Sequence, residues 1–356
     1  MNIIRNISEA PLLPWAGNSK REMDMMQPEM RLLYNPLKID PGEIMTITEQ
    51  GQLYDVLQAV LSCKLFERLE KSKSVEQLAD EMDWEGETTV RLLNVLVKAG
   101  YLTLFQGSYH NTALASTYFL PKEFLYFGHK FDGDLSLNSF GLKLLRCLQK
   151  DPDTHISKEP KWDPERLRQI GVNALTGSIQ NTVNCCDLTN VRHMLDLGGG
   201  HGFYSIALAQ KYPELKITLF DLPQVIALAH QFVGRFHMEE QINLLSGNFL
   251  QDDIGSGYDT ILCSNILHSD KRDVVLPKVK KALQPGGRII LKCRIADCPE
   301  TLSNAMNKLF WQVNGGKELF TQAEWRGFLS THGFYDSKTV NVENMFATMI
   351  ASSCTV

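Results

Sequence analysis

The chain has 356 residues, 44% of them hydrophobic and 22% charged, with a formal net charge of −5. That length exceeds one typical domain and supplies enough apolar material for real cores. The acidic surplus argues against a general nucleic-acid binder, which carries a basic excess, and no apolar run reaches the roughly 18 residues that a membrane-spanning helix needs.

The N-terminus, Met1-Asn-Ile-Ile-Arg-Asn-Ile-Ser8, lacks the apolar core of a secretory signal, so a cytoplasmic location is expected. The eight cysteines are scattered, with only Cys185 and Cys186 adjacent and no C-x-x-C spacing. Buried free thiols are the reading, and no metal site is expected.

Residues 1–48 hold Pro, Met and mixed charges with weak periodicity, and read as an N-terminal arm. From Gln52 the pattern changes. Leu53, Val56, Leu57, Val60, Leu61, Leu65 and Phe66 recur at helical spacing, followed by apolar-faced helices over Val75–Met82 and Thr88–Lys98. Gly100 ends the third helix, and Tyr101–Phe105 with Gly107–Asn111 read as a hairpin. Three helices and a hairpin make a winged helix over 49–115. DNA reading is the obvious use of that fold, but the third helix carries only Arg91 and Lys98 as cations, and Asp80, Glu81, Asp83, Glu85 and Glu87 crowd its approach. Phosphate binding needs several cations on one face, so dimerisation or covering a substrate fits better.

Residues 116–185 read as helices broken by Pro121, Pro152, Pro160 and Pro164, a linker lining a substrate cleft. Its aromatics, among them Tyr118, Phe119, Phe124, Phe127 and Phe140, serve a core or flank an aromatic substrate.

Residues 186–356 alternate strands and helices: Met194–Leu197, a helix to Lys211, Lys216–Phe220, a helix from Pro223, Ile242–Leu245, Thr260–Cys263, a helix from Asp273 and Arg288–Lys292. The alternation predicts a doubly wound parallel sheet, a Rossmann-like α/β fold. Between the first strand and its helix lies Asp196-x-Gly198-x-Gly200-x-Gly202, and the second strand ends at Asp221. Glycines permit positive φ and close backbone approach, and a carboxylate at the next strand end can accept from ribose hydroxyls. The ligand is therefore of adenosine type. A dinucleotide site wants G-x-G-x-x-G. This loop has G-x-G-x-G behind an aspartate, an order that resembles the first motif of class I S-adenosylmethionine-dependent methyltransferases. Tyr335–Glu343 and Asn344–Ala351 read as two adjacent C-terminal strands, and the antiparallel strand they supply favours the same family.

His268, in Ser264-Asn-Ile-Leu-His-Ser-Asp270, follows the strand Thr260–Cys263 on the edge where doubly wound sheets bind ligands. It is a candidate general base. Asp-x-Gly-x-Gly-x-Gly, Phe-Asp-Leu-Pro, Gly-Asn-Phe, Ile-Leu-His and Pro285-Gly-Gly-Arg, in this order behind a winged helix, resemble the O-methyltransferase family of plant caffeate and hydroxyindole enzymes and bacterial antibiotic-tailoring enzymes. The resemblance spans 52–350. It implies that His268 deprotonates a phenolic hydroxyl and Glu318 orients it, as catalytic residues. Asp196, Gly198, Gly200, Gly202, Asp221, Leu222, Asn248, Phe249 and Ser264 would form the S-adenosylmethionine site, with Gly198 near the methionyl part and Asp221 on the ribose.

Four departures stand out. The adenine-motif aspartate is Asn248, a lysine common before the histidine is Ser264, the Trp of His-Asp-Trp is missing, and a second glutamate is Cys293. The leading expectation is a homodimeric, metal-independent O-methyltransferase acting on a small aromatic or heteroaromatic hydroxyl. The alternatives are N- or S-methylation, a non-methylating member of the fold, a winged-helix regulator sensing a nucleotide, and an NAD-dependent oxidoreductase.

Overall fold

Strands alternating with helices from Val191 onward demand crossover connections, and crossovers produce parallel pairing. The computed structural model describes residues 42–131, 164–175, 177–267, 271–313, 316 and 318–353. The chain divides into two compact units, 1–59 and 60–356. The first helix, α1 (Gly42–Ser62), starts inside the stretch read from sequence as an arm. It ends sooner than the apolar spacing suggests. Lys64 takes a left-handed conformation (φ 60°) and sets α2 (Leu65–Arg68) apart from it.

The next elements follow local signals closely. Ser74 and Gln77 form a capping box that opens α3 (Val75–Met82), and the Glu85 carboxylate caps α4 (Gly86–Lys98) by accepting from the N–H groups of Glu87 and Thr88. Strands β1 (Leu102–Phe105) and β2 (Ser108–Asn111) pair antiparallel around Gln106 and Gly107. Both turn residues have positive φ, as a tight two-residue hairpin requires. Helices followed by a two-stranded hairpin are thus present in this stretch. Thr112 then caps α5 (Ala113–Tyr118).

Pro164 does not break a helix; it opens α6 (Pro164–Ala174), a position where its missing N–H costs nothing. The helix α7 (Ser178–Cys185) leads into the sheet region. There the order is β3 (His193–Leu197), α8 (Phe203–Lys211), β4 (Lys216–Asp221), α9 (Pro223–Arg235), β5 (Ile242–Ser246), β6 (Tyr258–Ser264), α10 (Arg272–Ala282) and β7 (Leu283–Arg294). The helices α11 (Leu302–Val313) and α12 (Gln322–Thr331) and the strands β8 (Phe334–Glu343) and β9 (Phe346–Ser353) complete it. Neither α11 nor α12 was expected from sequence. The signal for α12 is the Thr321-x-x-Glu324 capping box, whose two reciprocal bonds both form.

The seven strands lie in the order β5-β4-β3-β6-β7-β9-β8. Pairing is parallel from β5 to β7, and β9 inserts antiparallel between β7 and β8. The class I methyltransferase sheet expected from sequence is thus present, with its antiparallel C-terminal strand. Alternate residues feed two apolar layers. Leu195, Leu197, Ile261 and Leu291 pack with Val275, Val279, Trp325 and Leu329 on one face, while Met194, Ile217, Leu219 and Ile290 pack with Ile179, Ile206, Leu228 and Phe232 on the other. The chain leaves β3 toward β4 and later returns to β6 on its other side, so a crevice opens at the carboxyl ends of β3 and β6. Among the described residues, no helix is long and apolar enough to cross a membrane.

Candidate active site

The glycine loop leaves β3 at Leu197. Gly198, Gly200 and Gly202 have φ of 68°, 59° and 78°, a region that L side chains avoid. They differ in what surrounds them. A Cβ on Gly198 would come within 2.5 Å of Ile266 Cγ2, and one on Gly202 within 3.2 Å of Leu219 Cδ1. These two are glycines for packing as well as for φ. Gly200 would meet nothing within 4 Å. Its face is open, as a site of backbone approach to a ligand must be.

Hydrogen bonds tie the loop to the second strand. Gly198 N–H donates to Phe220 O (2.8 Å). Asp221 accepts Gly200 N–H at Oδ2 (2.8 Å) and Leu222 N–H at Oδ1 (2.7 Å). Gly247 N–H donates to Asp221 O (2.9 Å), so the ends of β3, β4 and β5 are linked through this residue. Burial raises the Asp221 pKa, and the two N–H bonds pull it back. A carboxylate has about four lone-pair sites, so two amide bonds leave room for hydroxyl donors.

Asp196 sits beneath the loop at 1% exposure and accepts from Ser205 Oγ on α8 at 2.6 Å. Burial, opposed by the Ser205 hydrogen bond and aided by the nearby Asp221 charge, pushes its pKa up to about 7. Its reach is thus to the helix behind the loop. His201, which sequence reasoning did not single out, is buried in the same turn and held neutral, its pKa pushed down to about 4 by burial. Its Nδ1 accepts Phe203 N–H (3.1 Å). A Cβ on Gly171 of α6 would come within 2.9 Å of the His201 ring and 2.7 Å of Phe203, so α6 seats directly on the loop through a glycine.

After β5, Asn248 organises its own turn. Its Oδ1 accepts Leu250 N–H (3.0 Å), and its N–H donates to Asp252 Oδ2 (2.7 Å). Lys278 Nζ holds this turn by donating to Phe249 O (3.0 Å) and Asp252 O (3.1 Å). Phe249 is half-buried against the core beside it.

Ser264 ends β6 level with Lys292 of β7. Asn265 then turns the chain in a left-handed conformation (φ 57°), its N–H on Lys292 O (2.8 Å), and Ile266 covers Gly198. His268 lies outside the described residues. Glu318 is exposed, two residues before Phe320, which bridges in parallel to Ile295 just past the end of β7. The loop, Asp221, the Asn248 turn and Ser264 therefore share one sheet edge. Cys293 is buried and its thiol is held neutral by desolvation, so it supplies no charge where the resemblance implies a glutamate.

A cavity of about 370 Å³ lies elsewhere, lined by His193, Lys216, Ile242 and Tyr258, each the first residue of its strand. That is the amino edge of the parallel strands, opposite the loop, and none of the expected site residues lines it.

The chain is similar to known proteins in sequence and in fold. Residues 171–335 match the O-methyltransferase domain family. An uncharacterised protein of Methanocaldococcus jannaschii is 26% identical over 80% of this chain and 78% of its own. The 3-hydroxy-5-methyl-1-naphthoate 3-O-methyltransferase of Streptomyces sahachiroi is 26% identical over 80% of this chain and 86% of its own. In fold, the human N-acetylserotonin methyltransferase solved in complex with SAM superposes with a TM-score of 0.67, at 21% identity, over 90% of this chain and 100% of that one.

Proposed function

We propose that this chain, whose residues 171–335 match the O-methyltransferase domain family, binds S-adenosylmethionine in the glycine loop and methylates a hydroxyl of a small aromatic or heteroaromatic molecule. The observation that carries the reading is the joined pair of Gly200 and Asp221. One N–H bond of 2.8 Å fixes them together, while the outer face of Gly200 stays open and the carboxylate keeps lone pairs to spare. These residues fit an adenosine whose ribose lies on Asp221. Asn248 fits its adenine through the remaining lone pair of Oδ1, without the charge of the usual aspartate.

When bound, the cofactor supplies a methyl group on a sulfonium, ready for in-line displacement. The chain's own work is placement and proton removal. Gly198 and Ile266 close the loop at the methionyl end. His268, four residues past the end of β6, takes the hydroxyl proton, and Glu318 orients its imidazole. An aromatic methyl acceptor is supported by the family and by the naphthoate named for the Streptomyces sahachiroi relative. Residues 49–115 serve dimerisation, 116–185 cover the cleft, and 186–356 bind the cofactor. The test is transfer of labelled methyl from S-adenosylmethionine to a panel of phenols, both neutral and carboxylated. Labelled ether products are expected, and affinity for S-adenosylhomocysteine without transfer to any phenol contradicts the reading.

A further inference from the structure

Arg294 is the last residue of β7, two positions beyond the row that Lys292 shares with Ser264, so it stands on the same edge as the proposed site. Its guanidinium lies 4.1 Å from the Trp311 ring centroid and 4.8 Å from that of Phe346. Among the described residues it has no ion pair and no side-chain hydrogen bond, and burial alone pushes its pKa down to about 10. A half-buried charge without a counter-charge is costly.

Lys292, two residues earlier on the same face of the strand, is the contrast. It is more deeply buried, yet its Nζ reaches Thr182 Oγ1 (2.9 Å), Ser178 O (3.4 Å) and Glu343 Oε2 (3.9 Å). Glu343 lies in the same row as Arg294, across Phe346, but it is committed to Lys292 and to Asn181 (2.9 Å). Cys293 is neutral. Among the described residues, no carboxylate at the end of β7 is paired with Arg294. Beside it, α11 brings Trp311 to the guanidinium and leaves Met306 and Phe310, one helical turn apart, exposed. Two aromatic rings against a guanidinium leave its planar donor edge for a bidentate partner, and a carboxylate matches that edge.

We propose that Arg294 is a specificity-determining residue that pairs with a carboxylate on the methyl acceptor, which makes hydroxylated aromatic acids, rather than neutral phenols, the substrate class. The inference rests on the methyltransferase reading above, and its test is separable from it. Binding of hydroxybenzoates, hydroxynaphthoates and their methyl esters to the protein loaded with S-adenosylhomocysteine is measured by calorimetry, for wild type, Arg294→Met and Arg294→Lys. The acid is expected to bind about tenfold or more tightly than its ester. Arg294→Met should weaken the best acid by about 30-fold while its ester moves less than about threefold, and Arg294→Lys should recover part of the loss. Cofactor-product affinity should be unchanged in both variants, which separates this effect from misfolding. Equal affinity of acid and ester, equal losses for both in Arg294→Met, or no acid binding overturns the proposal. Tight acid binding without methyl transfer supports the carboxylate pairing and contradicts the methyltransferase reading.

Discussion

The two sides of the crevice are built on different principles. On the side of β3 and β4, every polar group named has a partner within the protein: Gly200 has Asp221, Asp196 has Ser205, and Asn248 has Leu250. On the side of β7, Arg294 is charged and, among the described residues, meets two aromatic rings but no counter-charge and no side-chain hydrogen bond. A loop that satisfies itself is preorganised and receives a constant ligand at little cost in rearrangement. An unpaired cation instead selects among variable ligands, because only one that brings a counter-charge recovers its desolvation.

Substitutions can break this comparison. The largest effect should come from His268→Ala, which is expected to lower kcat by about 100-fold or more with S-adenosylhomocysteine affinity nearly unchanged. Steady-state kinetics beside calorimetry separates the two quantities, and a variant as active as wild type removes His268 from the base role. Next, Asp221→Ala should weaken cofactor affinity by about tenfold, through loss of the ribose contact and of the bond from Gly200. If affinity holds, Asp221 only caps the loop.

A smaller effect concerns pH. Burial raises the Asp196 pKa from 3.8 to about 7, so the folded protein holds a proton that the unfolded chain releases. The stability this contributes is complete below 3.8 and is lost as pH rises through about 7. Asp196→Asn should remove that loss, so the stability gap between variant and wild type should grow by about 1 kcal/mol per pH unit across the window. Denaturation midpoints with the same pH dependence in both proteins contradict the buried-proton account. Smallest is Asn248→Asp, which restores a charge toward the adenine amine but sets it beside Asp252. Cofactor affinity should rise no more than about threefold, and a clear fall in a calorimetric titration places adenine elsewhere.

The sequence showed most where local chemistry decides the outcome. The loop, Asp221 and the parallel strands rest on glycines, period-two burial and short connections, and they appear in the structure at the expected positions. The ends of elements were less legible. Lys64 separates α1 from α2 with a left-handed turn that nothing in its residue type announces. Strand β7 was expected to begin at Arg288 but pairs from Leu283, because the turn at Pro285–Gly287 lies within the pairing to β6. Tertiary relations were invisible. Gly171 looks like an unfavourable residue for a helix until His201 is found against it, and the isolation of Arg294 depends on Glu343 being drawn to Lys292 from 51 positions away.

Calorimetric titration of the wild-type protein with S-adenosylhomocysteine and, in parallel, with NADH tests the foundation of this account. Saturable binding of S-adenosylhomocysteine and none of NADH is the expected result. Saturable binding of NADH with no affinity for S-adenosylhomocysteine would mean that the open face of Gly200 receives a pyrophosphate, and the assignment of the site would fail.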